Sequence, residues 1–96
     1  MKPTVKHKEM ADFFDALAHP RRQMIIQILQ GTGRRGLPFN RLLSRTGLTA
    51  STLAFHLRKM DAGRILHRKI KGPETWLSLD PSPFLTMNIP FGTPNA

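Results

Sequence analysis

Thr46-Gly47-Leu48-Thr49-Ala50-Ser51-Thr52-Leu53-Ala54-Phe55-His56-Leu57-Arg58-Lys59-Met60-Asp61-Ala62-Gly63 is the stretch whose reading decides the fold. It reads as the end of one helix, a tight turn at Gly47 and a second helix over 50–62. Thr49 stands where an N-cap is needed, because its hydroxyl can accept from an orphan N–H of the first turn. Gly63 closes the helix. At about 100° per residue, Leu53, Leu57 and Met60 fall in one narrow arc and must face a core. Ser51, Phe55, Arg58 and Ala62 lie nearly opposite. Thr52 and Lys59 flank one side, Ala54 flanks the other, and His56 sits close to the apolar arc. Two helices in this relation make a helix-turn-helix pattern, in which the second helix offers its exposed face to base edges in a major groove.

The outer face assigns roles by side-chain chemistry. Arg58 and Lys59 can reach phosphates or guanine edges, and Ser51 and Thr52 can donate to a phosphate or a base. Phe55 is an aromatic on a solvated face, and its ring can pack on thymine methyl groups. The structural alternative for Phe55 is contact with the preceding helix or a second subunit. For His56 the helical count favours a hydrogen-bonded boundary residue over a base reader.

Outward from this stretch, a helix over about 39–46 precedes the turn, with Leu42 and Leu43 inward and Arg41 available to a phosphate backbone. Leu37-Pro38-Phe39 is a short extended piece, and Gly31-Thr32-Gly33-Arg34-Arg35-Gly36 is a loop by its glycine density. Met10, Phe13, Phe14 and Leu17 make one apolar stripe of a helix over 6–18. His19-Pro20 breaks that helix and starts another over 20–30, with Met24, Ile25, Ile28 and Leu29 as its expected buried face. On the other side, strands over 65–71 and 75–79 flank a turn at Gly72-Pro73-Glu74 and form a hairpin. Arg64, Arg68, Lys69 and Lys71 make the hairpin basic. Beside a recognition helix, that is a wing reaching for phosphates or a minor groove. A charged edge that resists aggregation is the alternative. Trp76 is expected to pack into the core at the base of the wing.

The predicted fold is therefore mainly α with a small β-hairpin, a winged helix-turn-helix in the order helix, helix, short strand, helix, helix, hairpin. Residues 1–80 form this domain. Residues 81–96 contain four of the eight prolines with apolar residues between them. They are expected to form an extended arm, not a regular helix, docked on the core or on a partner.

Charge points the same way. The chain carries 15 Lys and Arg against 6 Asp and Glu, a net charge of +9. Between Ala16 and Pro73 there are twelve basic residues and a single acid, Asp61, and after Asp80 there is no charged side chain. Such a distribution suits a polyanionic partner. No stretch approaches the roughly 18 apolar residues of a membrane span, and the basic N-terminus has no apolar signal segment, so a cytosolic address and no membrane partner are expected. With no cysteine there is no disulfide or thiolate site. His7, His19, His56 and His67 lack a close metal-ligand spacing. Neither a metal nor a cofactor is expected, and no catalytic arrangement is present: no paired carboxylates, no Ser–His–Asp set, no P-loop.

Two stretches resemble the ArsR-type (arsenic-repressor-like) winged-helix regulators. Phe14-Asp15-Ala16-Leu17-Ala18-His19-Pro20-Arg21-Arg22 is similar to that family's Leu-Ala-Asp-Pro-Thr-Arg start of its second helix. Leu48 to Met60 is similar to its recognition helix, and Asp61-Ala62-Gly63-Arg64-Ile65-Leu66 runs on into the wing in the same manner. The resemblance covers about residues 12–79. It implies a homodimer that binds an inverted repeat in double-stranded DNA, usually as a repressor, with contacts from Ser51, Thr52, Phe55, His56 and Arg58. The metal-sensing branch carries Cys-Val-Cys where this chain has Pro38-Phe39-Asn40, which places the resemblance with the non-metal-sensing members. The family's fifth helix, which packs on the partner's first helix, is replaced here by the proline-rich arm. Met10, Phe13, Phe84, Ile89 and Phe91 are the expected dimer contacts, and the effector stays unknown. A non-specific architectural DNA binder and a protein-interaction winged helix are the alternative functions.

Overall fold

The structure, a computed structural model, describes residues 2–86. Helix α1 (Val5–Leu17) opens on a capping box, in which the Thr4 hydroxyl accepts from the His7 N–H and His7 Nδ1 accepts from the Thr4 N–H. Helix α2 (Pro20–Gln30) begins at the proline, and His19 caps it by accepting from the Arg21 N–H at 3.0 Å. The short strand β1 (Leu37–Pro38) leads into α3 (Phe39–Thr46). Gly47 turns the chain, and Thr49 caps α4 (Ala50–Ala62) by accepting from the Thr52 N–H. Strands β2 (Leu66–Lys71) and β3 (Glu74–Leu79) follow. The helices over 20–30, 39–46 and 50–62 have the bounds expected from sequence, while α1 starts and ends one residue earlier than the expected 6–18. The return strand gains Glu74, which narrows the hairpin turn to Gly72 and Pro73.

The sheet is antiparallel in the order β1-β3-β2. Leu37 pairs with Leu77 and Pro38 with Trp76 on one side of β3, while Leu66 pairs with Leu79, Lys69 with Trp76 and Lys71 with Glu74 on the other. The fold is the winged helix-turn-helix that the element order predicts. Its core is one cluster in which Phe13 and Ala16 of α1, Ile25, Ile26 and Leu29 of α2, and Leu42 of α3 meet Leu53, Leu57 and Met60 of α4, with Ile65 and Leu77 from the wing. Burying each such large side chain contributes about 1.5–3 kcal/mol.

Three expectations are corrected. The buried face of α2 is Arg22, Ile25, Ile26 and Leu29, with Met24 and Ile28 only partly covered. The helix is rotated so that a guanidinium, not a methionine, faces inward. Next, the segment after Asp80 is not wholly extended, because Ser82–Thr86 form a short helix, α5. Pro81 and Pro83 do not prevent it, since N–H groups in a first helical turn have no intrahelical partner to lose. Asp80 Oδ1 accepts from the Ser82 N–H, and the Leu85 N–H donates to the Pro81 carbonyl. Finally, Phe13 and Phe84 are not free for a partner. They are 1% and 6% exposed and meet edge to face, with centroids 5.3 Å apart. Each completes the other's burial, so α5 closes the core over α1. Ile89 and Phe91 lie outside the described residues.

Candidate nucleic-acid interface

Because Leu53, Leu57 and Met60 are fully buried, α4 can present only its far side. Ser51, Phe55, Arg58 and Lys59 are all exposed there, as counted from the sequence, and Thr52 is half-buried beside them. The first turn of α4 carries a hydroxyl cluster. Thr49 Oγ1 accepts from the Thr52 N–H and donates to Thr52 Oγ1 at 2.9 Å, which leaves the Thr52 hydroxyl proton to point elsewhere. Phe55 is 46% exposed, and Lys59 Nζ lies 5.8 Å from its ring centroid. The aromatic and the cation thus share one patch, one helical turn apart.

His56 does not belong to that patch. It is 3% exposed, and Arg22 Nη1 lies 3.1 Å from its Nδ1. A guanidinium can only donate, so Nδ1 must accept and the neutral ring carries its proton on Nε2. The His19 ring packs on it at 4.6 Å. Burial, then the charges of His19, Arg22 and Arg21, push the His56 pKa below its usual 6.5. A ring so enclosed cannot reach a base, and the inclusion of His56 among the base-contacting residues is corrected on that ground. Arg22, a residue that side-chain chemistry alone would place at the surface, is 5% exposed. Its Nη2 lies 3.8 Å from Asp15, and its Nε is buried without a hydrogen-bond partner. The signal for it was available: Arg22, Ile25, Ile26 and Leu29 follow the i, i+3, i+4, i+7 rule.

The wing divides its cations. Arg68 donates from Nε and Nη2 to Asp61 Oδ2, at 3.0 and 2.6 Å, and so ties β2 to the last turn of α4. Arg64, at a φ of 62°, pairs with Glu9 of α1 at 3.0 Å. These two charges already face carboxylates. Lys69, Lys71, Arg58, Lys59 and Arg41 are exposed and form no ion pair among the described residues. Trp76 does not enter the core. It is half-buried on the outer face of the sheet, with Lys71 Nζ 4.2 Å and Arg35 Cζ 5.6 Å from its ring centroid. The wing tip carries Ile70, 78% exposed between the two lysines.

On α1 the two adjacent phenylalanines part company. Phe13 is buried, whereas Phe14 is 48% exposed and Met10, one turn earlier, is also exposed. Among the described residues, no helix is long and apolar enough to cross a membrane.

Neither a family profile nor a curated protein matches the chain. Solved structures do match, among them transcriptional regulators described as ArsR-family or possibly so. One structure described as an ArsR family transcriptional regulator superposes with a TM-score of 0.71 at 15% identity, covering 92% of this chain and 86% of its own. The transcriptional repressor PagR of Bacillus anthracis gives 0.69 at 26% identity, over 88% of this chain and 94% of its own. A homodimeric winged helix-turn-helix DNA-binding domain of Mycobacterium bovis, described as a possible ArsR-family regulator, gives 0.67 at 20% identity, over 82% and 75%. This chain shares the winged helix-turn-helix fold over its described residues.

Proposed function

We propose that the chain is a sequence-specific, double-stranded-DNA-binding transcriptional regulator of the ArsR type. It acts as a homodimeric repressor, with α4 in the major groove and the wing on the adjacent backbone. The observation that carries this reading is the sorting of charge. The exposed face of α4 and the two wing lysines carry cations that form no ion pair among the described residues, on a fold similar to that of the repressor PagR. Ser51, Thr52, Phe55, Arg58 and Lys59 read or anchor the half-site, and Lys69, Lys71 and Arg41 hold phosphates. Arg68 and Arg64 orient the wing and α1 through their carboxylate partners. Met10 and Phe14 form the centre of the dimer contact. Two α4 helices then meet half-sites about one helical turn, or a multiple of it, apart, as an inverted repeat.

Selection of bound duplexes from a random library, followed by competition with a scrambled duplex, tests this. The enriched sequence is expected to be palindromic. Arg58→Ala weakens binding to the enriched duplex by ~1–3 kcal/mol while leaving the scrambled one nearly unchanged. Lys69→Ala weakens both alike and lowers the salt slope by about 1. Equal affinity for enriched and scrambled DNA would make the chain a non-specific architectural binder, and no binding to either at low salt would favour a protein-interaction module.

A further inference from the structure

The cations of the wing do not all look the same way. Directly paired residues of an antiparallel ladder share one face of the sheet, so Lys69 and Trp76, and Lys71 and Glu74, stand together on one face. Arg68 lies on the other face and reaches Asp61 of α4. The Trp76 face therefore looks away from the recognition helix. On it the indole is the floor for two cations from different parts of the chain, Lys71 of β2 and Arg35 of the glycine loop between α2 and β1. Gly36 brings that loop in. A Cβ there would lie 1.9 Å from the Leu77 carbonyl oxygen, so only a residue without a side chain lets Arg35 come down beside β3. The one acid on this face, Glu74, accepts from Trp76 Nε1 at 3.4 Å. Neither Arg35, Lys69 nor Lys71 forms an ion pair among the described residues.

The geometry points to an extension of the wing's phosphate-binding surface, in which Arg35 and Lys71 over Trp76, with Lys69 paired beside it, grip the duplex backbone beyond the half-site read by α4. This inference rests on the DNA-binding reading above, and adds to it the α2–β1 loop and the indole. A cation held on an aromatic face keeps its charge directed while losing little solvation. Its side chain then surrenders less rotamer freedom when a phosphate arrives. A face turned away from α4 meets the DNA on the outward side of the wing, so the surface lengthens the footprint without reading bases.

The test uses the whole chain and two duplexes carrying the enriched site, one with long flanks and one trimmed close to the half-sites. Affinities of wild type, Arg35→Ala, Trp76→Phe, Trp76→Leu and Arg58→Ala are measured across a salt series. Arg35→Ala is expected to flatten the slope of log K against log salt by about 0.9 per protomer on the long duplex, because one phosphate contact is lost. Its disadvantage relative to wild type then narrows roughly 3-fold per protomer between 50 and 200 mM salt. On the trimmed duplex it matches wild type. Trp76→Phe keeps a ring and most of the effect, while Trp76→Leu behaves like Arg35→Ala. Equal slopes for wild type and Arg35→Ala on the long duplex, with Arg58→Ala still defective, overturn the extended surface and leave the α4 reading intact. A wild-type chain without preference for the enriched site overturns the reading on which the surface rests.

Discussion

Gly63 sits where the recognition helix ends against α1, and replacing it with alanine tests how tightly those two elements are locked. Its φ of −83° is open to any residue, so backbone strain is not at issue. The cost is space. A Cβ on Gly63 would lie 2.5 Å from the Ala16 Cβ, 2.8 Å from the Asp12 carbonyl oxygen and 3.2 Å from the Phe13 Cα. Carbon atoms settle at about 3.5–4.0 Å, so α1 would have to retreat by roughly 1 Å. That retreat loosens Phe13 and Ala16, both buried, from Leu57 and Met60. Overpacking of this kind costs about 1–3 kcal/mol, and the stiffer unfolded chain returns about 0.4–1 kcal/mol. The net loss of about 1–2 kcal/mol lowers the melting temperature by roughly 5–15 °C in a domain of this size. In the proposed dimer the same retreat changes the distance between α4 and the Phe14 contact, so affinity for the palindrome falls further than affinity for a single half-site. Circular-dichroism melts and anisotropy on both duplexes read the two effects. Ala16→Gly in the Gly63→Ala background removes the shortest contact, and its coupling to Gly63→Ala should be favourable by at least ~0.5 kcal/mol. A Gly63→Ala melting temperature within ~2 °C of wild type, or strict additivity in the double variant, would show that α1 and α4 are not locked at this point.

His56 makes stability depend on pH in a defined direction. Its folded pKa lies below 6.5, so between those two values the unfolded chain binds the extra proton. The contribution is complete above about pH 6.5 and is lost as pH falls from there to the folded value. His56→Asn keeps an acceptor for Arg22 and should give a less stable protein with a flatter pH dependence over that interval. Parallel pH profiles for the two proteins would count against the buried neutral ring. The paired phenylalanines of α1 should separate folding from assembly. Phe14→Ser raises the dimer dissociation constant in sedimentation with little change in the melt of the protomer. Phe13→Ala costs about 3–5 kcal/mol of folding free energy, and a Phe14→Ser chain that stays as dimeric as wild type would remove α1 from the interface.

The parts legible in the sequence were those set by local chemistry. A proline that starts α2, a glycine after α3 and a threonine before α4 fix helix ends through groups within a few residues, and the bounds of all three helices could be read from them. The inward arc of α4 followed from helical period alone. What could not be read depends on contacts distant in the chain. Arg68 and Arg64 looked like free wing cations because nothing local shows Asp61 or Glu9 facing them. Trp76 looked like core because an indole is apolar, yet the register with Lys69 and the approach of Arg35 place it on the outer face. Phe13 looked like interface because one helical stripe cannot fully bury two adjacent rings, and Phe84 because it lies among the apolar residues of the proline-rich arm; the short helix α5 that brings them together was hidden behind its own prolines.

The carboxylates explain why a net charge of +9 becomes a directed surface. Asp12 faces Lys8, Glu9 faces Arg64, Asp15 faces Arg22 and Asp61 faces Arg68. Apart from Asp61, these acids lie on α1, and the exposed Arg58 and Lys59 of α4 form no ion pair among the described residues. The Asp61–Arg68 pair is about 40% exposed at each end, and a pair of that kind contributes at most ~1 kcal/mol to stability. Its energy is too small to hold the fold together, but its geometry joins the last turn of α4 to β2. The single acid in the basic middle of the chain therefore neutralises one arginine and joins the wing to the helix that carries Arg58. In the proposed complex, the helix and the wing that meet the DNA are thus joined by a contact that never touches it.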